Sequence, residues 1–91
     1  MSVSITAVAL QGDAAFAVRG TTGVPNAAVR CQAFLGQDAA GPSALALAGS
    51  DDAWAATVTL FAAYDGGKEY RVVATCPTED GADVTVPPFF G

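Results

Sequence analysis

The chain is 91 residues long and 52% hydrophobic, much of that alanine and valine, so it makes one domain with a thin core of small side chains. Nine acidic residues are set against Arg19, Arg30, Lys68 and Arg71, a formal net charge of -5, which excludes a nucleic-acid surface because that needs clustered cations to displace counterions. Histidine is absent, and with it the usual general base, the commonest metal ligand and the ordinary activator of nucleophiles, so no enzyme activity is expected.

The first segment, MSVSITAVALQGDAAF, has neither the positive leading region nor the apolar run of a signal peptide, and Met1 reads as a start residue, genuine or added. Ser2 to Leu10 alternates like a strand but shifts phase at Val8 and Leu10, which predicts a bulge or a change of sheet. After the Gln11-Gly12-Asp13 turn, Ala14 to Arg19 forms a second strand with Phe16 and Val18 on one face. The loop GTTGVPN, residues 20 to 26, follows. Ala27 to Leu35 is the third strand, with Val29, Cys31, Ala33 and Leu35 inward and Arg30, Gln32 and Phe34 opposite, so that Phe34 is the odd apolar residue on a polar face.

Gly36 to Ser43 is a small-residue loop, and Ala44 to Ala48 is a short fourth strand, since five residues between breakers are too few for a stable helix. Ala53 to Phe61 places Trp54, Ala56, Val58 and Leu60 on one face, and Glu69 to Cys76 does the same for Tyr70, Val72, Ala74 and Cys76. Asp65-Gly66-Gly67 supplies the turn between these two strands. Ala82 to Val86 closes the set before Pro87-Pro88, which cannot donate to a ladder, so Phe89 and Phe90 leave the sheet. Seven short strands at this spacing predict an all-β sandwich over residues 1–86, with a Pro/Phe tail at 87–91. No apolar run approaches the ~18 residues of a membrane span, and a soluble chain is expected.

The segments VRGTTGVPNAAVRCQAF, WAATVTLF, DGGKEY, YRVVATC and PTEDGADVTV resemble bacterial immunoglobulin-like domains, found in bacterial surface proteins and in tailed-phage structural proteins. The likeness spans Arg19 to Val86, and fibronectin type III modules share the YxVxAxx flavour of the sixth strand. It implies a seven-stranded immunoglobulin-like Greek-key β-sandwich and brings no catalytic residues. Cys31 falls on the third predicted strand, Trp54 on the fifth, and Tyr70 six residues before Cys76, so an antibody-type disulfide and tyrosine corner are not expected. A Tyr70 hydroxyl at a strand start would nonetheless need a backbone partner.

Cys31 and Cys76 both carry core parity, and no further Cys or His could complete a zinc site with them. They are a candidate disulfide, worth about 4 kcal/mol if formed, or two small buried hydrophobes in a reducing compartment. The loop acids Asp51-Asp52, Asp65, Glu79-Asp80 and Asp83 admit a calcium reading, but without a DxDxDG run the expected role is capping of turn backbone, with no metal and no cofactor. Glu79 and Asp80 are adjacent and cannot flank a glycosidic bond from two sides, Ser2, Ser4, Ser43 and Ser50 lack an activating base, and Gly20-Thr21-Thr22-Gly23 lacks the Lys of a phosphate loop. Trp54, Tyr64 and Phe34 could form a sugar platform only if brought together, and Trp54 has core parity.

Pro87, Pro88, Phe89 and Phe90 are candidate assembly contacts, either folding back over a sheet edge or packing into a neighbouring subunit. The expected function is a non-enzymatic structural or interaction module, foremost a phage capsid decoration or head-surface protein located in the virion. Its expected partners are capsid or other virion subunits, or further copies of itself, with no nucleic acid and no membrane. The alternative is an extracellular spacer or carbohydrate-binding module of an adhesin or carbohydrate-active enzyme.

Overall fold

The computed structural model describes residues 2–77 and 79–86. Eight strands follow one another: β1 (Ser4–Leu10), β2 (Ala15–Thr21), β3 (Ala28–Leu35), β4 (Asp38–Ala39), β5 (Ala44–Leu47), β6 (Ala53–Thr59), β7 (Tyr70–Cys76) and β8 (Glu79–Thr85). The described residues contain no helix, so none is long and apolar enough to cross a membrane. The strands form two antiparallel sheets, one ordered β1-β2-β6 and the other β4-β3-β7-β8 with β5 also paired to β3. Alternation decides which side chains lie between the sheets. Phe16, Val18, Trp54 and Val58 come from the first sheet, and Val29, Cys31, Val72 and Ala74 from the second, all joined in one hydrophobic cluster.

The predicted strands are present, with three differences. β4 is a two-residue strand inside the expected Gly36 to Ser43 loop, formed because Gly36 at φ 64° lets the chain reverse and pair Leu35 with Asp38. β8 begins at Glu79 rather than Ala82, because a register shift between Ala74 and Cys76 brings Glu79 opposite Cys76. The two strands read from Trp54 to Cys76 do not pair with each other. β6 runs beside β2 in one sheet and β7 beside β3 in the other, so the glycine turn belongs to a crossing between sheets.

That crossing is pinned at several points. The Phe61 N–H donates to the Ala40 carbonyl at 2.8 Å, and the Tyr64 N–H to the Asp13 carbonyl at 2.7 Å. Tyr70, buried at the first position of β7, accepts the Asp65 N–H on its hydroxyl at 3.0 Å. This is the backbone partner its position requires. The Phe16 ring meets Tyr70 edge-on at 5.6 Å and Tyr64 at 5.8 Å, joining the crossing to the core.

The phase shift in β1 is a slipped register, the first of its two expected causes, and a contact with the other sheet precedes it. The β1–β2 register slips between Ile5 and Ala7, and the residues before β1 bridge the other sheet, Ser2 running parallel to Asp80 and the Val3 N–H donating to the Asp80 carbonyl at 2.9 Å. One short segment thus closes the sandwich at this edge.

Candidate functional site

Cys31 and Cys76 lie on the inner face of the second sheet, both buried. Cys31 stands opposite Ala74 in the β3–β7 ladder, which makes Cys76 its diagonal neighbour. Diagonal positions are about 7 to 8 Å apart, beyond the Cα span of about 4.4 to 6.8 Å that a disulfide bridges. Both residues are thiols, and the candidate disulfide is not formed. Burial pushes the Cys31 thiol up from 9.0 to about 11, against a smaller opposing effect of a hydrogen bond from the Gln32 backbone. A thiol held neutral in this way is a poor nucleophile at ordinary pH.

The loop acids hold backbone. Asp51 Oδ1 accepts the Ala53 N–H at 3.2 Å, and Asp65 Oδ1 accepts the Gly67 N–H at 2.9 Å, both of them side-chain turns that Asp favours. Asp52 takes a positive φ of 68°, and its carbonyl receives the Thr22 N–H at 2.8 Å. Glu79 accepts the Gly23 N–H, tying the GTTGVPN loop to the start of β8, and its other oxygen lies 3.6 Å from the Cys76 Sγ. Asp83 pairs with Arg71 across the β7–β8 ladder. Glu79 and Asp80, as consecutive strand residues, point to opposite sides. Among the described residues no three His, Cys, Asp or Glu side chains converge at metal-binding spacing.

The aromatic residues are dispersed. Trp54 is buried, its indole N–H donates to the Thr21 carbonyl at 3.2 Å, and its ring lies against Gly20. Tyr64 belongs to the Phe16 and Tyr70 cluster. Phe34 sits on the outer face of the other sheet, with the Arg71 guanidinium 5.7 Å from its ring centroid, so a cation covers the apolar residue that looked out of place. No shared platform exists among the three.

Several large apolar side chains stand open to solvent. Leu45 is 63% exposed, Leu47 71% and Phe61 72%. Phe61 rims a notch of about 250 Å³ at the Tyr70 end of the sandwich, lined by Leu35, Ala40, Leu60 and Tyr70. Leu45 and Leu47 project from β5, an edge strand, because its alanines take the inward positions. Sequence reasoning missed them, since in ALALA either parity presents an apolar face. Pro87, Pro88, Phe89 and Phe90 lie outside the described residues. No family model, curated protein or solved structure matches the chain.

Proposed function

We propose that the chain is a non-enzymatic interaction module on an immunoglobulin-like Greek-key sandwich, and that it serves as a phage virion protein presented on the capsid surface. The strand orders β1-β2-β6 and β4-β3-β7-β8 support the immunoglobulin-like reading, as does the Tyr70 hydroxyl bonded to the backbone of the crossing before its strand. The observation that carries the functional reading is a division of labour among side chains. The acids at Asp51, Asp65 and Glu79 hold turns and loops, while Leu45, Leu47 and Phe61 stand exposed at one edge and one end. Surfaces of that kind favour protein contacts over chemistry on a small molecule.

The test is the composition of purified particles. The chain is expected in stoichiometric amounts by mass spectrometry and on the outer shell by electron microscopy. Its absence from particles, or saturable binding on a glycan array, would instead favour the extracellular carbohydrate module.

A further inference from the structure

We infer that β5 is a self-pairing edge, through which two copies of this chain join their larger sheets in antiparallel register, Leu45 of one opposite Leu47 of the other. This does not depend on whether the module belongs to a virion. The Ala48 N–H donates to the Ala27 carbonyl at 2.9 Å, and the ladder sets Val29 opposite Ala46 and Cys31 opposite Ala44. In an antiparallel pair, hydrogen-bonded positions recur every second residue, so Ala44, Ala46 and Ala48 turn their backbone groups toward β3. Leu45 and Leu47 therefore turn theirs away, and no described residue pairs with them.

Edge strands are usually blunted by Lys, Pro, a bulge or a covering segment. Among the described residues β5 has no such protection. Residues 40–50 contain no charged side chain, and the strand itself is Ala-Leu-Ala-Leu. The absence of charge argues for a second copy as the occupant. Two chains of formal net charge -5 repel at long range, yet this edge brings no like charges into contact, and salt screens the remainder.

Backbone chemistry selects the register. Pairing centred on Ala46 opposes Leu45 and Leu47 twice, so all four outward residues of the two copies exchange backbone hydrogen bonds. Centring on Leu47 would need Gly49, whose N–H already donates to Ala53 and whose carbonyl already accepts from Asn26 and Asp52. Centring on Leu45 would need Ser43, which lies outside the strand and whose hydroxyl is 3.2 Å from Arg30. The favoured register is two-fold symmetric and puts the leucines side by side on one continuous outer face.

Two leucines and a four-residue edge bury on the order of 300 Å² per copy, well under the ~800 Å² per partner of a stable complex. The contact is accordingly weak between free molecules and effective where neighbours are held at high local concentration.

Cysteine cross-linking tests both pairing and register. Under mild oxidation an equimolar mixture of Leu45→Cys and Leu47→Cys is expected to give several-fold more covalent dimer than either variant alone. Hydrogen-bonded partners sit about 5.5 Å apart, within disulfide reach. Cys31 and Cys76 are buried, and wild type under the same oxidant sets the background. In sedimentation velocity the wild-type dimer fraction should rise toward about 1 mM and increase with salt, whereas Leu47→Lys should stay monomeric with an unchanged melting midpoint. Equal cross-linking in all combinations would overturn the register. A wild type that stays monomeric through that range, with no cross-linking above background, would overturn the proposal itself.

Discussion

At Gly20 only a hydrogen atom fits between β1 and the indole of Trp54. A Cβ there would stand 1.8 Å from the Ser4 carbonyl oxygen and 2.6 Å from the Trp54 ring, so backbone as well as side chain must move. Gly20→Ala is expected to cost about 3 kcal/mol or to prevent folding, read as a lowered midpoint in urea. Cys31 makes a second prediction, in alkaline solution. Its folded value of about 11 lies above the 9.0 of an unburied thiol, so the folded state holds the proton more tightly. Its contribution is complete below about pH 9 and is lost as pH rises toward 11, up to roughly 2 to 3 kcal/mol. Wild type should lose more stability than Cys31→Ala over that window, and in native protein near pH 8 a thiol reagent should leave Cys31 unmodified. Equal pH slopes for the two proteins would remove this account. At this scale the inward residues were legible from parity, because period two is a property of the strand itself. Phe34 was not, because its cover is Arg71, a residue distant in sequence that arrives only with the ladder.

Between elements, the connection from β6 to β7 changes sheets and is held by single bonds rather than by a ladder. Tyr70→Phe removes the acceptor of the Asp65 N–H and leaves the ring in place, so it should cost about 1 kcal/mol and speed hydrogen exchange at the Asp65 amide. Unchanged exchange there would mean that the hydroxyl does not pin the crossing. Periodicity marked β6 and β7 as strands and the glycines as a turn, but alternation is blind to which neighbour a strand takes. The same limit explains the cysteines: shared parity put both on one face, whereas the register that separates them diagonally is a relation between strands. β1 was the more readable case. Its phase shift in Ser2 to Leu10 is a local signal, and the slipped register produces it. β4 left no such trace, being two residues whose pairing depends on Gly36 reversing the chain.

The whole molecule is dominated by pairings between segments distant in sequence, such as β2 with β6 and β3 with β7. Loop closure must precede those contacts, so folding is expected on the order of milliseconds to seconds, single-exponential in stopped-flow Trp54 fluorescence. Microsecond folding would contradict this topology. The dimensions, 36 × 24 × 18 Å, describe an elongated body, with the start of β1 and the end of β8 fastened at different places. Val3 is fastened to Asp80 at one, and Val86 to the Tyr70 carbonyl at the other. Force drawn between Ser2 and Val86 would therefore run along β1 and β8 rather than across them. The β1–β2 and β7–β8 ladders would bear it in shear, many bonds sharing the load at once, instead of opening one at a time as a zip does. The bridge at Ser2 and Asp80 thus couples the two sheets where force on the start of β1 would arrive, so that both ladders would resist together.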